Sequence, residues 1–273
     1  MDAKQKPFFP WLFVGLTFLV SWALWIPAAL SGKSTAELPT APLYLLGGFG
    51  PSLVGVLLML RADRDARRDF WRRAGDFSRI RPVWYLLIFL FIPAVTAAAF
   101  GLDALLGGGP YNLPNLTATF TQPAALFATL IIGILAGPLS EELGWRGYAL
   151  DRVQARLAPL PAALLLGVIW WAWHLPLFFI RGTSHNTWGL FSPLSLLFLL
   201  NVLPLSVFIS WAYNHNRRST LAAILIHFMF NFVFSLIFPL PFRVELFRVV
   251  LTTVAVAAIG YFSPPPRFQT SLR

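Results

Sequence analysis

Six polar residues and a tryptophan, set in otherwise apolar stretches, carry the chemistry open to this sequence. Glu141 and Glu142 are adjacent carboxylates, Arg146 follows four residues after the second, His174 lies four residues beyond Trp170, and His227 precedes Asn231 by four. On a helix Glu142 and Arg146 sit at i, i+4, where a carboxylate and a guanidinium can pair, while Glu141 is rotated away by about 100°. The two carboxylates therefore have different tasks: Glu142 forms a structural ion pair with Arg146, and Glu141 is free to face a cavity as a general base. His227 and Asn231 share one helix face. A carboxylate that activates water, an imidazole beside it, and a second imidazole with an amide to stabilise an oxyanion together suffice for peptide hydrolysis without a covalent intermediate. The same Glu141, His174 and His227 could instead hold a divalent metal such as zinc, whose bound water would be the nucleophile. The sequence has no HExxH helix, and the spacing leaves both mechanisms open.

These residues need scaffolding, and composition says which kind. The chain has 273 residues, 57% hydrophobic and 12% charged, with apolar runs long enough to cross about 30 Å of hydrocarbon. Eight such runs are expected, near 8–30, 41–60, 82–106, 122–145, 159–180, 189–213, 219–240 and 244–262. The first is longer than the apolar part of a signal peptide and reads as a membrane helix. The fold class is thus an all-α membrane protein of about eight transmembrane helices, one polytopic domain over 1–273 with its catalytic core at about 122–240. A charged group near a bilayer centre costs ~2.5–3.5 kcal/mol, so polar residues inside spans are functional candidates by default. Asn201, a further buried amide, reads as interhelical glue, and His185 and His215 as solvated loop residues.

The net charge of +10 would indicate nucleic acid in a soluble protein. Here the basic residues gather between apolar runs and orient the chain in a lipid bilayer instead. With both termini cytoplasmic, 17 of the 21 Lys and Arg fall on the inside, leaving Lys33, Arg181, Arg243 and Arg248 outside. The segment Arg61–Arg81 interleaves Arg with Asp, Phe and Trp and reads as an interfacial, lipid-contacting amphipathic helix. The absence of Cys excludes disulfides, Cys-based zinc sites and a Cys nucleophile. Glu141 falls near the cytoplasmic end of its run, whereas His227 and His174 lie deeper. Convergence requires the fourth helix to continue past Glu142 or a water-filled vestibule to hollow that side. The vestibule is the expectation, with Arg146–Arg156 along its rim.

Glu141-Glu142-x-x-x-Arg146, Trp170-x-x-x-His174 and His227-x-x-x-Asn231, in this order on consecutive membrane segments, resemble the CPBP intramembrane proteases. That group includes type II CAAX prenyl endopeptidases and bacterial proteins linked to bacteriocin self-immunity. The resemblance covers roughly 137–234. It implies that Glu141 is the water-activating glutamate, His174 its partner, and His227 with Asn231 the oxyanion stabilisers. It further implies that Glu142 and Arg146 hold the shape of the site. Trp170 stands where the family commonly has Phe, and a bulkier ring is expected to alter the cavity wall. The implied partner is a membrane-embedded or lipidated peptide, and the implied location is the plasma membrane of a prokaryote. Two other readings remain at this point: a proton-coupled transporter, since inward Glu and His also serve proton relays, and a non-catalytic immunity or scaffold protein.

Overall fold

The computed structural model describes residues 10–263, and the charges of the termini that entered the topology argument (Lys4, Lys6, Arg267 and Arg273), with Pro264–Pro266, lie outside them. In chain order the helices are α1 (Pro10–Leu30), α2 (Thr40–Gly48), α3 (Gly50–Met59), α4 (Arg64–Gly75), α5 (Pro82–Leu105), α6 (Pro114–Thr121), α7 (Pro123–Ile134), α8 (Ser140–Gly144), α9 (Asp151–Gln154), α10 (Pro159–Trp173), α11 (Ser184–Trp188), α12 (Pro193–His215), α13 (Thr220–Ile237) and α14 (Phe242–Phe262). Among the described residues there is no strand, only an isolated bridge between Ser34 and Arg181.

Among the described residues six helical stretches are long and apolar enough to cross a membrane: α1, α5, the run Pro123–Gln154, the run Pro159–Phe179, α12 and α13. A seventh results if α2 and α3, bent by 45° at their junction, form one span. The last expected segment is α14, 21 residues long, whose first turns carry Arg243, Glu245 and Arg248. The chain is an all-helical, integral membrane protein.

The fourth run departs from expectation. It does not end near residue 145. It breaks at Ala136 (φ −90°, ψ 98°) and Gly137 (φ 111°, ψ −82°) and then continues as helix to Gln154. The sequence dictates the break, because Gly137 takes a positive φ that costs other residues energy and Pro138 has no N–H to continue the ladder. Inside a membrane a broken helix persists only if neighbours satisfy the freed backbone groups. They do so here. Asn231 Nδ2 donates to Ala136 O (3.3 Å), Ser52 Oγ to Leu139 O (2.8 Å), and Gly137 N–H to Ser140 Oγ (2.9 Å). The continuation is anchored by a close crossing of α3 and α8: a methyl group on Gly55 would lie 2.9 Å from Gly144 Cα, and one on Gly144 would strike the Pro51 carbonyl. Small residues at such a crossing let backbones approach.

Trp145–Leu150 is buried throughout, with Arg146 at 0% exposure. Trp145–Leu150 is therefore interior, while Ala155 and Arg156 at the far end of the segment are exposed, and the helix continues past Glu142 to Gln154. Trp25, Trp145 and Trp173 fill the centre, with ring centroids 4.5 Å apart for Trp25–Trp173 and 6.0 Å for Trp145–Trp173. Trp170 and Trp173 are core residues.

The basic segment Arg61–Arg81 is also more than a lipid-contacting loop. Asp63 caps α4 by accepting from Ala66 N–H (2.8 Å), and the helix buries Phe70 and Arg73. Arg73 donates to Asp151 Oδ2 (2.9 Å), to Tyr213 OH (2.6 Å) and to Gly147 O (3.1 Å). Arg218 also pairs with Asp151. One buried guanidinium thus ties α4 to the continuation of the fourth run and to α12. Removing one member of a buried ionic network leaves its partners desolvated, so Arg73→Met is expected to cost about 3 kcal/mol, the low end of the range because Arg218 still faces Asp151. Denaturation in detergent would measure it.

Candidate active site

Each of the seven residues singled out in the sequence falls at or beside the break. Glu141 and Glu142 occupy the first turn of α8, Arg146 follows one turn later, Trp170 and His174 close α10, and His227 and Asn231 project from α13. Glu141 is 6% exposed, Glu142 0% and His227 3%. Because α8 restarts beyond the break, inside the protein, both carboxylates are held on its first turn away from solvent.

Glu142 Oε1 accepts from Arg146 Nη1 (2.9 Å) and lies 2.9 Å from His227 Nδ1. Arg146 continues to Ser206 Oγ (3.1 Å), which donates to Ala163 O (2.8 Å), and its guanidinium sits 4.8 Å from the centre of the Trp170 ring. Glu142 therefore has two cationic or donor partners and no freedom to turn. Glu141 faces the other way: its Oε2 accepts from Trp170 Nε1–H at 2.6 Å. His174 Nδ1 lies 2.7 Å from Trp170 O. A carbonyl only accepts, so Nδ1 carries the proton and Nε2 is left as the free acceptor.

Glu141 and His174 share no direct hydrogen bond among the described residues; Trp170 joins them, through its indole to one and its carbonyl to the other. The sequence reading gave Trp170 only a wall of the cavity, and the structure makes it the residue that orients the carboxylate. An edge-on contact with His227 (centroids 5.1 Å, 72°) places the same ring between both histidines.

His227 and Asn231 converge on the break. A methyl group added to Gly137 would lie 3.2 Å from His227 Nε2, and closer still to Asn231 Nδ2. With His227 Nδ1 turned to Glu142, two side-chain nitrogens thus point at one small space beside a glycine that no other residue could replace without filling it.

His185 was expected to be solvated. It stacks on His174 instead (centroids 5.4 Å, 18°) within a ring of Phe178, Trp188 and Phe198. Burial first, and the neighbouring His174 second, push it well below the ordinary imidazole value, so it is a neutral plate against His174. Nothing in the sequence signals this, since the contact spans a loop between two helices. His215 likewise packs between Trp84 and Trp211 at the end of α12.

A divalent-metal set of Glu141, His174 and His227 does not fit the arrangement. Among the described residues no three His, Asp or Glu side chains are grouped so as to hold a metal ion.

The model of the type II CAAX prenyl endopeptidase Rce1-like family matches residues 123–233, a stretch that holds all seven residues. CAAX prenyl protease 2 of Methanococcus maripaludis is 30% identical over 230 residues, covering 81% of this chain and 82% of that protein. This chain belongs to that family. It is a membrane-integral peptide hydrolase of the CAAX protease family, and the break, the paired carboxylates and the two histidine helices are the parts of the chain on which the family match falls.

Proposed function

We propose that this peptidase hydrolyses a peptide bond of a membrane-associated, prenylated substrate with a glutamate-activated water. The observation that carries the reading is the convergence of His227 Nε2 and Asn231 Nδ2 on Gly137, beside a Glu141 carboxylate held by Trp170. Glu141 takes a proton from water as its oxygen attacks the scissile carbonyl carbon, and His174 Nε2 holds that water by accepting its second hydrogen. The tetrahedral oxyanion accepts from Asn231 Nδ2–H and from His227 Nε2–H, with His227 Nδ1 held against Glu142 Oε1. Glu141 then passes its proton to the departing amine as the C–N bond breaks. Glu142 and Arg146 hold His227 and the first turn of α8 in register.

The substrate class follows from what acts on what in the relative: the protein of Methanococcus maripaludis is named a prenyl protease, and a site enclosed within apolar helices suits a lipid-anchored chain. The bilayer and the lipidated peptide are the partners, with no nucleic acid, in a prokaryotic plasma membrane. One polytopic domain over 1–273 carries the catalytic core at about 122–240. Counting α2 with α3 as one span and adding α14 gives eight, and the bias of Lys and Arg supports cytoplasmic termini. Comparing one peptide with and without its prenyl group tests the substrate class: the expected result is cleavage of the prenylated form alone.

Two substitutions test the assigned roles. Gly137→Ala places a methyl group where the oxyanion would sit, and the expected result is a loss of kcat of about 10²-fold, as for removal of an oxyanion donor. Trp170→Phe keeps the ring but deletes the donor to Glu141. It is expected to lower kcat by about tenfold, of the order of one charge-assisted hydrogen bond, with KM unchanged in steady-state assays.

A further inference from the structure

The buried side of α4 is accounted for by Phe70 and Arg73, while its other side remains to be explained. Arg64, Arg67, Arg68, Trp71 and Arg72 are all exposed, and their spacing of i, i+3, i+4, i+7 and i+8 puts them on one stripe. At about 100° per residue this stripe lies opposite Asp69, Phe70 and Arg73, which face the bundle. No side chain of these four arginines makes a hydrogen bond or close ion pair among the described residues, and only Arg72 feels a nearby acid, Asp76. The acids of the segment are placed elsewhere: Asp63 caps the helix, Asp69 pairs with Arg73 and Arg79, Asp76 pairs with Arg79 and binds Ser78, and only Asp65 stands exposed beside the stripe. Trp71 is 52% exposed and Phe77, just beyond the helix, 64%.

We propose that this stripe of α4 is a docking surface for the headgroups of anionic phospholipids, with Trp71 and Phe77 seated at the level of the glycerol backbone. Two features select this occupant over bulk water. Four guanidinium groups without a close acidic partner on one face of a helix in an integral membrane protein attract anionic lipid, and the exposed rings of Trp71 on the stripe and Phe77 just beyond the helix have the amphipathic character that favours the headgroup boundary. The surface does not stand apart from the rest of the molecule. Through Arg73, whose guanidinium reaches Gly147 O and Asp151 on the continuation of the helix that carries Glu141, lipid bound on the outer face of α4 secures the inner contact.

The test needs no protease assay. The full chain is taken from bicelles of equal phosphatidylcholine and phosphatidylglycerol, and retained lipid is counted by native mass spectrometry. The wild type is expected to retain phosphatidylglycerol at least about tenfold over phosphatidylcholine and to gain thermal stability on its addition. The variant Arg64→Gln/Arg67→Gln/Arg68→Gln/Arg72→Gln is expected to lose both effects while keeping its stability in phosphatidylcholine. The Trp71→Ala/Phe77→Ala variant, with charge unaltered, is expected to weaken retention. Inorganic phosphate at equal concentration should not reproduce the stabilisation; if it does, the surface reads the anion and not the lipid, and the proposal fails. Equal retention of both lipids by the wild type, or unchanged preference in the four-arginine variant, would also overturn it.

Discussion

Glu141→Gln is expected to lower kcat for peptide cleavage by about 10³-fold, within the range for loss of a positioned general base, while KM and the folded yield stay close to wild type. The reason lies in what Gln keeps and what it loses. Its amide oxygen can still accept the Trp170 N–H that now reaches Glu141 at 2.6 Å, and its volume is nearly unchanged, so packing within α8 survives. What it cannot do is take a proton from water and return it to a leaving amine. Steady-state kinetics on purified, lipid-reconstituted protein would check this, and retention of more than about a tenth of the wild-type kcat would remove Glu141 from the role of base.

Arg146→Ala acts on the same turn of helix by a different route. Glu142 and Arg146 are both at 0% exposure and 2.9 Å apart, and deleting the guanidinium leaves a carboxylate in the interior with His227 as its remaining partner. Breaking a buried pair from one side typically costs ~3–5 kcal/mol, a large share of the ~5–15 kcal/mol that holds a domain folded. The contact over the Trp170 ring is lost as well. The expected outcome is a sharp fall in folded yield and in thermal midpoint, not a folded enzyme with altered kinetics. Removing both charges, Glu142→Gln with Arg146→Met, should recover part of the loss, and the double-mutant cycle would report the coupling. Full yield of the single variant would contradict the division of labour between the two glutamates.

Sequence patterning conveyed much of this before any geometry was at hand, and where it stopped has physical reasons. Apolar runs mark membrane helices because lipid offers no hydrogen bonds, so α1, α5, α12 and α13 were legible within a few residues. Helical spacing likewise put Glu142 opposite Arg146 and His227 on the face of Asn231. The fourth run misled because hydropathy registers the end of an apolar stretch, not the end of a helix. Beyond Glu142 the chain stays helical and buried, and the break lies earlier, at Ala136–Gly137. The pair Gly137-Pro138 was the available sign. The indole bond from Trp170 to Glu141, the stacking of His185 on His174 and the buried role of Arg73 depend on tertiary placement. No spacing rule within one helix reveals them, and an arginine among seven others in a basic segment looks like a topology signal until its partner Asp151 is seen.

The most direct test of the account is cleavage itself. Purified wild-type protein in lipid bilayers is incubated with a peptide prenylated near its C-terminus, and the products are identified by mass spectrometry. The prediction is hydrolysis at a single peptide bond close to the prenylated residue, with one water added across it and no covalent enzyme adduct at any time point. An intact peptide after many turnover times, or a trapped acyl-enzyme, would contradict it.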